Sequence, residues 1–333
     1  VNKTDVVREV LKDRDMAPGL QGAAYAPANI ALVKYWGKSN AALNIPMTDS
    51  ISVSLGSLGA HTTIRVASQN HDLVFLDGSE LPAESTFYQR VKNYLNLFRS
   101  SQSHSFEVKT TSSVPVAAGL ASSASGFAAL VKALDQLFAW GLSGRELSIL
   151  ARLGSGSACR SVFEGFVWWK RGQENNGLDS FAERMDVHWP SFRIGLLELS
   201  AQKKPIGSTE AMQRTIETSR LYSAWPHQVS TDLPRMIDGL THRDIETVGQ
   251  VAEHNALSMH ATMLAAWPPV LYWLPGSVEA LRRVWEARQD GLCVYATMDA
   301  GPNLKLVFEK SEQAKIVALF PNLNIVDPFD LLS

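Results

Sequence analysis

The chain has 333 residues, with 31 basic and 33 acidic side chains and a formal net charge of −2. That length supports a sizeable core and two domains, while the near-balance of charge excludes a general electrostatic footprint for nucleic acid or an anionic membrane, so any anion binding has to be local. The only cysteines are Cys159 and Cys293, the N-terminal stretch is charged and polar, and no apolar run reaches the length of a membrane span; the expectation is a cytoplasmic protein with reduced thiols rather than a Cys159–Cys293 bridge.

Val1 to Leu20 reads as a polar lead-in with one amphipathic turn around Val6 to Leu11, followed by a strand near Ala23 to Ala26. Ile51, Val53 and Leu55 alternate with Ser52 and Ser54, which predicts a strand with one buried and one wet face. Thr62 to Val66 and Leu73 to Leu76 predict further strands, the second ending in an Asp77-Gly78 turn. Phe87 to Phe98 has helical spacing and Phe106 to Thr110 that of a strand. Pro115 to Ala129 then passes from a loop of small residues into a helix whose apolar face is Phe127, Leu130, Val131, Leu134, Leu137 and Phe138. Ser143 and Glu146 have capping-box spacing for a helix ending near Leu153, and Gly154 to Ser161 is a second loop of small residues. Phe166 to Trp169 is strand-like, and Arg171 to Asp186 is polar and turn-rich.

A boundary near Trp189 and Pro190 divides the chain into domains of residues 1–189 and 190–333. Beyond it, strands are predicted at Ile194 to Leu199, Leu292 to Met298 and Lys305 to Phe308. Helices are predicted at Thr209 to Ser219, Leu233 to Leu240, Ile245 to Leu264, Val278 to Arg288 and Ser311 to Phe320, with Pro268 and Pro269 stopping the third. Strands and helices mix without strict alternation, which favours an α+β fold over a doubly wound sheet.

Four stretches carry chemistry-bearing residues. The start of the helix after Pro115 suits phosphate, because amides there lack internal partners and lie at the positive end of the helix dipole; Ser122, Ser123 and Ser125 add hydroxyls. The same small residues would also serve a tightly packed helix start, and no Gly-Lys-Ser/Thr of the Walker pattern follows. Lys34 and Lys38 lie four apart beside Tyr35 and Trp36, either facing one site from a turned segment or standing in solvent. Gly154 to Arg160 pairs hydroxyls with a guanidinium, which grips carboxylates and phosphates bidentately but equally caps a surface turn. Asp299 ends an apolar strand before Gly301 and Pro302, as a projected carboxylate or an Asx-turn residue. His254 and His260, six apart, do not share a helix face and are read as structural, and the tryptophans as packing.

Together these stretches closely resemble the diphosphomevalonate decarboxylase family, within the superfamily of galactokinase, homoserine kinase, mevalonate kinase and phosphomevalonate kinase. The resemblance runs from Ala26 to at least Asn303 and rests on APANIALVKYWGK, PVAAGLASSASGFAAL, GSGSACRS, STEAM at Ser208 to Met212, the His-Ala-Thr run at His260 and DAGPN. The central loop alone would point only to the superfamily; KYWGK with GSGSACRS and DAGPN is far more specific. The resemblance implies that superfamily's two-domain α+β architecture with the active site in the cleft between the halves. It implies ATP on Ala118, Gly119, Leu120, Ala121, Ser122 and Ser123, with Mg²⁺ held at Ser122. The substrate diphosphate is expected at Tyr35, Lys38, Ser155 and Ser157, with Ser208 and Thr209 nearby. Arg160 is expected on the substrate carboxylate, Asp299 at its tertiary hydroxyl, and Lys34 beside Asp299, with Ser123 in the catalytic group. The family's further arginine, on a helix of the first domain, falls near Phe87, where Arg90 is the candidate substitute.

The reaction so implied is an ATP-dependent decarboxylation of (R)-5-diphosphomevalonate to isopentenyl diphosphate with release of ADP, phosphate and CO₂, by a homodimer. Rival readings are a plain kinase of the superfamily, a decarboxylase of a monophosphorylated mevalonate, and a silent relative that binds a phosphorylated metabolite. Lys34, Arg160 and Asp299 present together argue against the last.

Overall fold

The computed structural model describes residues 1–99, 104–114, 122–202 and 204–330. The lead-in is a packed helix, α1 (Lys3–Leu11), rather than a single turn. Asn2 and Asp5 form a reciprocal capping box at its start, and Val6, Val7, Val10 and Leu11 are buried. Next come β1 (Gly22–Val33), a small hairpin of β2 (Lys38–Asn40) and β3 (Ile45–Pro46), and the long β4 (Ser50–Val66). They are followed by β5 (Leu73–Leu76), β6 (Ser79–Glu80), α2 (Thr86–Leu95) and β7 (Phe106–Ser112). The half closes with α3 (Ser122–Phe138), α4 (Gly144–Gly154), β8 (Phe166–Trp169) and β9 (Ala182–Arg184).

β1 lies antiparallel along β4, whose other edge is shared by β8 at Ser50–Val53 and β7 at Ala60–Val66. The strands expected separately at 51–55 and 62–66 are therefore one strand. The β1 register jumps from Pro27↔Gly59 to Asn29↔Ser54, so β4 absorbs the intervening residues as an irregularity without ending. Ser52 and Ser54 are as buried as Ile51 and Val53, correcting the expected wet face. The serine face is covered by the segment after α4, where Ser54 Oγ accepts the Gly165 N–H at 2.8 Å. α4 starts as predicted, with Ser143 Oγ accepting the Glu146 N–H and Glu146 accepting the Ser143 N–H at 2.8 Å. β9 is a short strand inside the stretch read as turns.

The second half contributes β10 (Phe192–Leu197), α5 (Ser208–Thr218), α6 (Trp225–His242), α7 (Ile245–Leu264), α8 (Pro275–Gln289), β11 (Val294–Met298), β12 (Leu304–Glu309), α9 (Gln313–Leu319) and β13 (Asn324–Val326). Its sheet is antiparallel in the order β11-β12-β10-β13. α6 begins eight residues before the expected start, because Pro226 occupies the first turn, where its missing N–H costs nothing. α7 is buried around most of its circumference, since it packs on β11 of its own half and on β1 of the other. One continuous core takes Ile30, Leu32, Ile51, Val53 and Phe166 from the first half, and Phe192, Ile194, Val251, Met259 and Val307 from the second. Among the described residues no helix is long and apolar enough to cross a membrane.

Candidate active site

The last residues of β1 divide by strand alternation. Ile30 and Leu32 enter the shared core, and Asn29 and Ala31 line a cavity of about 560 Å³ between the halves. A second register shift falls between Ala31 and Val33, and the chain then leaves the sheet. Lys34 follows, buried, its backbone N–H donating to Asn255 Oδ1 of α7 at 2.8 Å. Asn255 in turn donates to buried Asp232 of α6 at 2.8 Å, so two helices of the second half hold the end of a strand of the first. The turn after Trp36 needs Gly37, with φ of 114° and a position where a Cβ would lie 1.7 Å from Tyr222 Oη. Tyr222 Oη itself donates to Trp36 O at 3.1 Å.

Lys34 Nζ donates to Ala31 O at 2.7 Å and to Asp299 Oδ1 at 3.0 Å. Asp299 directly follows β11, and its other oxygen, Oδ2, lies 3.3 Å from Nζ of Lys305 on β12. Burial alone would raise the Asp299 carboxyl, but the two ammonium groups outweigh it and hold the carboxyl well below its usual range. Asp299 is therefore ionised. Burial lowers Lys34 to about 8 against the pull of Asp299, so its ammonium persists at neutral pH. The backbone of Asp299 is also held: Trp273 Nε1 donates to His260 Nδ1 at 3.0 Å, which leaves His260 Nε2–H to donate to Asp299 O at 3.1 Å. Burial pushes His260 down to about 3, so it is neutral and acts as a strut.

Arg160 lies on a 3₁₀ helix, Gly156–Val162, that follows α4. Gly156 is required there because a Cβ would come within 2.7 Å of Tyr35 Oη. The guanidinium donates to Ser50 Oγ at 2.6 Å and to Asn29 Oδ1 at 3.3 Å, and lies over the Trp169 ring at 5.6 Å. It is 3% exposed, and among the described residues no carboxylate lies within ion-pair distance of it. A buried cation held only by neutral hydrogen-bond acceptors is costly unless an anion joins it, so this seat has the chemistry to take a carboxylate or a phosphate. Asp299 is near enough for its charge to act on Arg160.

Tyr35, Lys38, Ser123, Ser155, Ser157, Ser208 and Thr209 line the same cavity as Lys34, Arg160 and Asp299. Ser123 Oγ and Ser155 Oγ are 3.4 Å apart, joining α3 to the segment after α4. Ser208 and Thr209 open α5, whose N-cap Gly207 supplies no side-chain partner, so the first amides remain available to an anion. Lys38 Nζ donates to Asn44 Oδ1 at 2.8 Å, and Tyr35 Oη is buried without a partner among the described residues. Ala118, Gly119, Leu120 and Ala121 lie outside the described residues, as does the side chain of Ser122, which opens α3. The cavity wall carries Lys3, Lys34, Lys38, Arg90, Arg160 and Lys204 against the one carboxylate of Asp299. Such an excess of positive charge suits a polyanion.

Residues 26–182 match the family model described as diphosphomevalonate decarboxylase-like N-terminal domain, and residues 196–327 that of the mevalonate 5-diphosphate decarboxylase C-terminal domain. The chain belongs to the diphosphomevalonate decarboxylase family. Diphosphomevalonate decarboxylase of Aspergillus fumigatus is 36% identical over 317 residues, covering 88% of this chain and 78% of the relative, and that of Rattus norvegicus is 34% identical with the same coverage. Among solved structures, mevalonate diphosphate decarboxylase from Enterococcus faecalis superposes with a TM-score of 0.86 at 37% identity, covering 92% of this chain and 96% of that one. The Staphylococcus aureus enzyme gives 0.86 at 34% identity, covering 92% and 95%. A further match, MDDEF in complex with MVAPP, AMPPCP and magnesium, gives 0.87 at 38% identity, covering 92% and 96%.

The geometry also brings in residues to which the motifs attached no role. Lys305 is six residues past Asp299, and its alternation with Leu304 and Leu306 on β12 was the signal that it faces away from their cluster. Asn29 and Ser50, the seats of Arg160, lie in β1 and β4, more than a hundred residues from it in the chain. His260 and Trp273 were read as packing, and their contacts place that packing directly behind Asp299.

Proposed function

We propose that the chain catalyses ATP-dependent decarboxylation of (R)-5-diphosphomevalonate to isopentenyl diphosphate, ADP, phosphate and CO₂, in the mevalonate route to isoprenoids. The observation that carries this reading is an ionised Asp299 clamped by Lys34 and Lys305 in the same cavity as the buried guanidinium of Arg160. A base and a carboxylate receptor are the two groups that a 3-hydroxy acid requires. Complexes of a structural relative with MVAPP, and with MVAPP, AMPPCP and magnesium, support the same substrates here.

In this reading Asp299 takes the proton of the tertiary 3-hydroxyl, a role worth about 10²–10⁴-fold in general. The hydroxyl oxygen forms a bond to the γ-phosphorus as the bond to the β-phosphate oxygen breaks, leaving ADP. Phosphoryl transfer needs little covalent help from protein, so Lys34 and Ser123 serve by positioning and charge. The C3–O bond then breaks with its electron pair going to phosphate, and positive charge growing at C3 is stabilised by Asp299. The C1–C2 pair becomes the new double bond as CO₂ departs. Arg160 orients the carboxylate until that point, and Tyr35, Lys38, Ser155, Ser157, Ser208 and Thr209 take the diphosphate. ATP is assigned to residues 118–123. Among the described residues no cluster of three acidic, histidine or cysteine side chains exists to cage a metal. The Ser122 hydroxyl would help to hold a magnesium ion, which would neutralise charge on the transferred phosphoryl group.

Residues 1–189 and 190–333 are proposed as the two domains. The compartment is proposed as cytoplasmic, supported by two free cysteines, and the assembly as a homodimer, supported by the exposed apolar side chains Leu264, Trp267 and Leu271. Simultaneous assay of ADP and CO₂ with mono- and diphosphorylated mevalonate tests the function. Equimolar ADP and CO₂ from the diphosphate is the expected result. ADP without CO₂ would make the protein a kinase, and preference for the monophosphate would change the substrate.

A further inference from the structure

α1 precedes residue 26, where the family match begins, yet it reaches the cavity. Its buried face joins the core of the first half, which fixes Lys3 at the cavity wall. A cation in the first turn of a helix opposes the helix dipole, so α1 gains nothing from a lysine there. Lys3 Nζ donates to Leu153 O, in the last turn of α4, at 2.7 Å. Asn44 Nδ2 already donates to Arg152 O at 2.9 Å and reaches Leu153 O at 3.4 Å, and the same Asn44 accepts from Lys38. Lys3 and Lys38 are thus tied to one anchor at one end of the cavity. Arg90, over the Phe127 ring at 5.2 Å, is close enough for its charge to act on both lysines. Among the described residues none of the three has a carboxylate within ion-pair distance. Burial lowers both lysines, with the charge of Arg90 adding to it at Lys3 and those of Lys3 and Arg90 at Lys38, a cost that an anion bound between them would relieve. Tyr35 Oη, without a partner among the described residues, belongs to the same cavity.

We infer that Lys3, supplied by a helix outside the family's matched region, binds the substrate's diphosphate together with Lys38 and Arg90, and so sets the preference for diphosphorylated over monophosphorylated substrate. The inference rests on the proposed function for the identity of the anion. One ammonium hydrogen goes to Leu153 O, which leaves two for phosphate oxygens. The competing role is a plain cap on the carbonyl end of α4.

Lys3→Gln keeps a donor for Leu153 O and removes the charge; Lys3→Arg keeps the charge. Lys3→Gln is expected to raise KM for the diphosphorylated substrate, and Kd for inorganic pyrophosphate by calorimetry, about 10- to 100-fold, the range for losing a charge-assisted hydrogen bond. The loss should fall on KM rather than kcat, leave Kd for an ATP analogue in place, narrow the preference for diphosphate over monophosphate, and be reversed by Lys3→Arg. In the unmutated protein, saturating pyrophosphate should shield Lys3 from amine acylation read by mass spectrometry. A lowered melting temperature with unchanged KM and pyrophosphate affinity would reduce Lys3 to a cap, and undiminished labelling of Lys3 while Lys38 is shielded would overturn the inference without any variant. Failure of the functional reading shows separately, as a protein that yields neither ADP nor CO₂ yet still binds pyrophosphate through Lys3.

Discussion

Asp299 has one ammonium group on each oxygen, at 3.0 and 3.3 Å, and this pairing decides what the carboxylate can do. Kept ionised, it can accept a proton and face a developing cation; protonated, it could do neither. Asp299→Ala is expected to lose about 3–5 kcal/mol of transition-state stabilisation, where 1.36 kcal/mol is tenfold in rate, while an ATP analogue still binds by calorimetry. The pH dependence has a definite sign on both limbs. Asp299 is depressed by cations, so removing one raises it, and Lys305→Met should move the acid limb of the kcat profile to higher pH. Lys34 sits at about 8 and is charged below that value, so turnover should fall as pH rises through it. A profile flat to pH 10 would place the required ammonium elsewhere. Asp299, Lys34 and Arg160 were legible as residues in motifs. Lys305 was not, and Asn29 and His260 stood inside quoted motifs without a legible role, because the roles of all three come from what stands opposite them in space.

At the scale of elements, α7 explains how a strand of one half is aligned with a loop of the other. Its Asn255 bridges Asp232 of α6 and the backbone of Lys34, and its His260 braces Asp299. Asn255→Ala would leave the buried Lys34 N–H without its acceptor and cost about 1–3 kcal/mol. A lower melting temperature together with reduced kcat is the expected outcome, since the strand end carrying Lys34 loses its fixed height. Local signals found the ends of α7 and the cap of α4 because both depend on residues within a few positions of one another. The same signals missed the start of α6, whose first turn holds Pro226, and divided β4, where two apparent strands are one. The burial of Ser52 and Ser54 was invisible for a related reason: their partners lie more than a hundred residues later.

At the scale of the whole molecule, the shared core runs through the proposed domain boundary, with Ile30, Leu32 and Phe166 packed in one cluster with Phe192, Ile194 and Met259. Unfolding should therefore be a single calorimetric transition for the chain; two resolved transitions would mean that the halves are separately stable. By itself the sequence determined the types of the longer elements, the α+β class and the chemical vocabulary of the site, since periodicity, caps and motif residues act over short spans of chain. Only the tertiary structure decided that Lys305 shares Asp299 with Lys34, that Arg160 is seated on Ser50 and Asn29, and that Lys3 reaches the cavity. Those facts depend on distances between residues far apart in the chain, which packing sets and local pattern does not record.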